Sequence, residues 1–127
     1  MIDRLFANTL YIKVFPNRFE LKQIETGKTA IAPSPRAFTT NRLLVGEFSH
    51  AEEALNKAIK QLYEKQWFSP KPRVVIQPME KVENGLSEVE ERVLLELAAR
   101  AGARSVSVWV GHNLSDSEVL SKAETKK

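Results

Sequence analysis

A chain of 127 residues with 43% hydrophobic side chains can close one core and is too short for two ordinary domains. A single domain over residues 1–123 is therefore expected, with a disordered polar tail at 124–127. The net charge of +3 falls to +1 once Lys126 and Lys127 of that tail are set aside, too little by itself to argue for nucleic acid. The absence of cysteine excludes disulfides, a catalytic thiol and thiolate zinc sites, and His50 and His112 have no neighbouring ligand cluster, so neither metal nor cofactor is expected. No run approaches the roughly 20 apolar residues of a membrane span, and the N-terminus lacks a secretory apolar core, which predicts a cytoplasmic protein.

The chain opens on Met1 to Phe6, where Ile2, Leu5 and Phe6 share a helical face. Six residues bury too little to hold a membrane, and Asp3 offsets Arg4. A packed or frayed terminus is expected, with weak peripheral contact at the inner face of the membrane as the alternative. Thr9 to Phe15 and Arg18 to Glu25 alternate β-branched or aromatic residues with others around Pro16-Asn17, predicting a hairpin. Phe19, Leu21 and Gln23 share one face of its second strand; Arg18, Glu20, Lys22 and Ile24 share the other. Lys28 to Ala32 predicts a third strand, ended by Pro33, and Arg42 to Val45 a brief extended piece.

Three helix starts carry a Ser followed three residues later by a Glu: Ser49/Glu52, Ser87/Glu90 and Ser115/Glu118. In such a pair the hydroxyl accepts the amide of the third helical residue and the carboxylate reaches back to the serine amide. Ala51, Ala54, Leu55, Ala58, Ile59 and Leu62 follow the first at helical spacing, predicting a helix to about Lys65. Val89, Val93, Leu94, Leu97 and Ala101 follow the second, with Gly102 placed to stop it. The third, to about Ala123, has little apolar surface beyond Leu114, Val119 and Leu120. Arg73 to Gln77 is a continuous apolar run suited to a strand covered on both faces, and Ser105 to Val110 predicts the last strand. Between them Met79 to Leu86 forms a loop in which Asn84-Gly85 favours a tight turn. The order β-β-β-α-β-α-β plus a short C-terminal helix implies an α/β fold with a mixed sheet of about five strands.

Several of these segments resemble the first half of the bacterial actin homologue MreB, the rod shape-determining, actin-like ATPase family. Ser69-Pro70-Lys71-Pro72-Arg73-Val74-Val75 is similar to the family's Pro-rich loop and following strand. Ser87-Glu88-Val89-Glu90-Glu91-Arg92 with Ala99 to Arg104 (ARAGAR) is similar to its second helix, which starts Thr-x-Val-Glu-Arg-Arg and ends Gly-Ala-Gly-Ala-Arg. Leu5-Phe6-Ala7-Asn8, Gly27 and Pro33-Ser34 match its lead-in and third-strand landmarks, so the similarity runs from Leu5 to Gly111. The resemblance implies an RNase H-like fold. It also implies that ATP chemistry has been lost, because the family's Asp-Leu-Gly-Thr phosphate loop reads Lys13-Val14-Phe15-Pro16 here, and its catalytic Glu-Glu-Pro reads Val110-Gly111-His112. Lys13 reverses the charge that manages magnesium, and Pro16 has no amide to donate. The family's second half and its small projecting subdomain have no counterpart in these residues.

An RNase H-like nuclease would hold magnesium with a first-strand carboxylate, and that strand carries Lys13 instead. Glu47, Glu52 and Glu53 fit the macrodipole of the first helix, and His112 has no nucleophile or paired acid beside it in sequence. These residues predict a non-enzymatic, MreB-like protein–protein interaction module linked to cell shape or the bacterial cytoskeleton, with no catalytic or cofactor-binding residue. A homodimer or small oligomer is expected, because Trp67, Phe68, Val108 and Val110 need covering. The alternative is a small nucleic-acid-associated protein using Arg36, Arg42, Lys71 and Arg73.

Overall fold

A β-branched and aromatic strand, β1 (Thr9–Phe15), occupies the centre of the fold because nearly all of its side chains are buried: Leu10, Ile12 and Val14 on one side, Thr9 and Tyr11 on the other. The computed structural model describes residues 7–63 and 71–125. β1 turns at Pro16-Asn17 into β2 (Arg18–Gln23), which pairs with it antiparallel, and β2 pairs in the same sense with β3 (Thr29–Pro33). The chain then forms α1 (Phe48–Leu62), β4 (Arg73–Pro78), α2 (Glu88–Arg100), β5 (Ser105–Val108) and α3 (Asp116–Thr125). β4 lies parallel to β1 and β5 parallel to β4, giving one mixed sheet in the order β3-β2-β1-β4-β5.

Parallel neighbours cannot be joined by a tight turn, so α1 and α2 are the crossovers that the sheet demands. Their apolar stripes, Ala51, Ala54, Leu55, Ala58 and Leu62 on α1 and Leu94, Leu97 and Ala98 on α2, meet Leu10, Ile12, Phe19, Leu21, Val74 and Ile76 in one core. Phe38, fully buried, stacks on Phe19 with ring centroids 5.0 Å apart. On the opposite face α3 closes a second, smaller core of Tyr11, Val75, Leu114, Val119 and Ala123.

The structure departs from the sequence expectations at identifiable points. α1 starts at Phe48 behind Glu47, and Ser49 lies inside the helix, so the predicted Ser49/Glu52 box does not form. The Ser87/Glu90 box does form, and Ser115 with Glu118 makes the same reciprocal pair of bonds. Arg42 to Val45 is a turn held by Thr40 N–H donating to the Leu43 carbonyl at 2.9 Å, and contributes no strand. β5 stops at Val108, two residues before the predicted end, and α3 runs through Thr125 into the predicted tail. Gln23 is buried with Phe19 and Leu21 as expected. Val89 is the opposite case: predicted to face the sheet, it is 73% exposed, because α2 presents Leu94, Leu97 and Ala98 inward instead. The calls on Ile2, Leu5 and Phe6 and on Trp67 and Phe68 fall outside the described residues.

Leu97 has no solvent exposure, so Leu97→Ala is expected to cost about 2–5 kcal/mol in unfolding free energy. Val89→Ala is expected to stay within about 0.5 kcal/mol. Parallel urea titrations of the two variants check both.

Candidate functional site

The C-terminal ends of the parallel strands β1, β4 and β5 lie side by side, and this edge of an open α/β sheet is where ligands commonly sit. The residues singled out by sequence gather here in two places: the end of β1 and its turn into β2, with Lys13, Val14, Phe15 and Pro16, and the segment after β5, with Val110, Gly111 and His112.

The first loop is consumed by the chain itself. Val14 is buried in the main core, and the Arg18 guanidinium lies over the Phe15 ring, Cζ 4.1 Å from its centroid. Asn17 takes a left-handed φ of 57°, which asparagine tolerates. Its Oδ1 accepts from the backbone N–H groups of Phe38 and Thr39, each at 2.8 Å. Its own N–H donates to Thr39 Oγ1 at 3.0 Å, and its carbonyl accepts from Ser34 N–H at 2.9 Å. The turn thus anchors the segment after β3. Lys13 stands on the α3 side of the sheet, in register with Glu20 and Gln77, its Nζ 5.4 Å from the Tyr11 ring centroid.

The second loop folds back onto the sheet. Gln77, at the end of β4, is 1% exposed; its Nε2 donates to the carbonyls of Gly111 at 2.8 Å and His112 at 3.2 Å. Its Oε1 accepts from the Tyr11 hydroxyl, which in turn accepts from Leu114 N–H at 3.2 Å. Burial pushes the Tyr11 phenol up, with the Glu118 charge adding to the effect. Trp109 donates from Nε1 to the His112 carbonyl at 2.9 Å, and Lys122 of α3 sits 3.8 Å from its ring centroid. A side chain on Gly111 would meet the Trp109 ring 2.7 Å away, so the loop requires glycine there. His112 Nε2 lies 3.2 Å from Glu118 Oε2, and His50 Nδ1 lies 2.9 Å from the Ala37 carbonyl. Of the predicted contact residues, Val108 packs against the main core and Val110 is 37% exposed.

The four basic residues of the nucleic-acid alternative are divided between the two ends of the sheet. Arg36 is paired with Glu53 at 2.7 Å and lies with Arg42 in the segment after β3. Lys71 and Arg73 lie before and at the start of β4, lining a 500 Å³ cleft with Arg104, Glu25 and Glu124. Among the described residues no group of three acidic or histidine side chains is arranged to hold a metal ion, and no helix is long and apolar enough to cross a membrane. Sequence reading missed Tyr11, Asn17 and Gln77, which organise both loops; an amide side chain in the apolar run Arg73 to Gln77 was the available signal.

No protein-family model matches the chain. It is 32% identical over 128 aligned positions to the Escherichia coli (strain K12) protein described as uncharacterized protein YjaA, with 94% of this chain and 99% of that protein covered. The chain belongs to the YjaA family. In this YjaA-family chain the start of α3 is pinned by the Glu118 carboxylate. Ser115 N–H and His112 hold the Glu118 carboxyl below its ordinary value, so its contribution to stability is present above the usual carboxylate range and is lost as pH falls through the lowered value. Acidification through and below the ordinary carboxylate range is therefore expected to loosen α3 over Trp109. Trp109 fluorescence in a Trp67→Phe background should show this transition, and Glu118→Gln should flatten it.

Proposed function

We propose that the chain is a non-enzymatic protein–protein interaction module on an RNase H-like sheet of the actin-like kind that MreB resembles, and that it binds no ATP. The observation that carries this reading is the self-occupation of both loops where that fold holds its phosphates. Asn17 spends its amide and carbonyl groups on Ser34, Phe38 and Thr39, and Gln77 and Tyr11 take up the backbone of Gly111, His112 and Leu114. Phosphate recognition needs free backbone amides at a close-approach turn, and Phe15-Pro16 supplies bulk and a missing donor. The strand order β3-β2-β1-β4-β5, antiparallel through the first three and parallel through the last two, supports the RNase H-like assignment. The capping box at Ser87 falls on the segment where the MreB resemblance is most specific. On this reading the partner is a protein of the cell-shape cytoskeleton or envelope, met in the cytoplasm by a homo-oligomer.

Isothermal titration with Mg-ATP is expected to give no binding heat, and Lys13→Asp with Phe15→Gly is expected not to restore any, because the internal bonds of Asn17 and Gln77 remain. Micromolar binding by the unmodified chain would falsify the reading. Salt-sensitive retention on DNA or RNA, with no specific protein partner, would move the assignment to the nucleic-acid alternative.

A further inference from the structure

Two depressions on the helix-covered face join into one groove. The larger, an open cleft of 690 Å³, runs between α1 and α2 with Phe48 on one wall and Val89 and Val93 on the other. The second continues past Val89 and Val93 to Leu43 and Leu86. Val89 on α2 is 73% exposed and Leu43 before α1 is 39% exposed, and with half-buried Phe48, Leu86 and Val93 they leave an apolar strip uncovered along the groove.

The charge around the strip is opposite in sign to that of the chain. Five glutamates and three basic residues line the joined groove, whereas the whole chain carries +3. Arg100 is spent on Glu52 and lies over Phe48, Cζ 5.9 Å from the ring centroid. Glu90 is held in the capping box. Glu88 stands in the first turn of α2, where an acid favours the macrodipole. Glu80 in the loop has no such role and makes no ion pair among the described residues, whereas Glu96 lies one turn from both Arg92 and Arg100 on α2 and is partly offset by them.

Resting on the interaction-module reading, we propose that this groove receives a basic amphipathic helix of a partner protein. Its larger part is walled by α1 and α2, its continuation by α2 with the Leu43–Val45 segment and the loop after β4, and no open strand edge lines it, which suits a helix laid in a groove rather than an added strand. The acidic rim selects lysine or arginine flanks. A two-fold dimer through the same groove would bring two net-acidic rims together, a like-charge cost that a basic partner avoids.

The test uses the full chain and two designed peptides of about 18 residues, five helical turns. Both carry one leucine stripe at i, i+3, i+4 and i+7, flanked by lysines in one and glutamates in the other. In amide NMR titrations the lysine peptide is expected to shift Phe48, Leu86, Val89 and Val93, and to bind at least about tenfold more tightly than the glutamate peptide. Val89→Lys should weaken it by about tenfold with the melting temperature unchanged, since the side chain is exposed. Equal binding of both peptides, shifts confined to other surfaces, or no shift at millimolar peptide would overturn the groove. A photo-crosslinking benzoylphenylalanine at position 89 or, for comparison, at Ile31 on the β3 edge separates the two levels of inference in the native cell. Adducts from position 89 to a lysine- or arginine-rich helical segment support the groove, and an adduct of twice the chain mass overturns it. Adducts from position 31 alone overturn the groove while the module reading stands. Silence at both positions removes both.

Discussion

The parallel pairing of β1 with β4 is the constraint from which the rest of the architecture follows. A strand buried on both faces needs neighbours on both sides. One of them, β2, is reached through a two-residue turn, but the other runs the same way and must be approached from the far end. The chain meets this by crossing the sheet with α1 and then, for β5, with α2. Two crossovers moving in one direction across a sheet fall on one face if both have the usual hand, and both helices do lie together over Leu10, Ile12, Val74 and Ile76. The other face of β1 and β4 would leave Tyr11 and Val75 in water. α3, for all its small apolar surface, is what covers them.

Covering the sheet on both faces also buries its polar ends, and these are fully satisfied: among the described residues no buried side-chain nitrogen or oxygen lacks a partner. At the start of β1, Asn8 Oδ1 accepts from Gln23 Nε2 at 3.0 Å and from the Tyr63 hydroxyl at 2.8 Å, tying the end of α1 to the hairpin. Burial beside Glu25 pushes the Tyr63 phenol far up, so it remains a neutral donor. Glu25 itself accepts from the backbone N–H and the hydroxyl of Thr9 at 2.8 and 2.7 Å. At the other end Gln77 performs the matching task for the loop after β5. Both sheet ends are therefore bound by amide side chains, groups that hold their bonds without titrating.

What was legible in the sequence followed local physics. Alternation gave β1 and β2, and for β2 the correct faces, down to Gln23. The Ser87/Glu90 and Ser115/Glu118 pairs marked two helix starts because the signal is carried by four consecutive residues. The same pattern misled at Ser49, where Phe48 already belongs to α1 and the entry is fixed from outside by Phe38, whose carbonyl accepts the amides of Gly46 and Glu47. Val89 misled for a different reason: its spacing fits the stripe, but α2 turns Leu94, Leu97 and Ala98 inward and leaves Val89 exposed. The comparison of Lys13 and Pro16 with a phosphate loop rested on the MreB resemblance alone. The structural role of Asn17 was not legible, since its partners lie at Ser34, Phe38 and Thr39 and are brought to it only by the finished fold.

The bonds of Asn17 bear on the surface beside the turn. Asn17 closes on the segment that leads from β3 to α1. The segment is compacted further by Thr39 Oγ1 donating to the Leu44 carbonyl at 2.6 Å. A side chain at Gly46 would meet Thr40 Cγ2 at 2.3 Å, an approach only glycine permits. Leu43, Leu44 and Val45 are thereby held beside Leu86, Val89 and Val93. The bonds of Asn17 and Thr39 thus also hold Leu43, Leu44 and Val45 as one wall of the apolar groove, and reopening the turn at Asn17 would disturb both the turn and that wall.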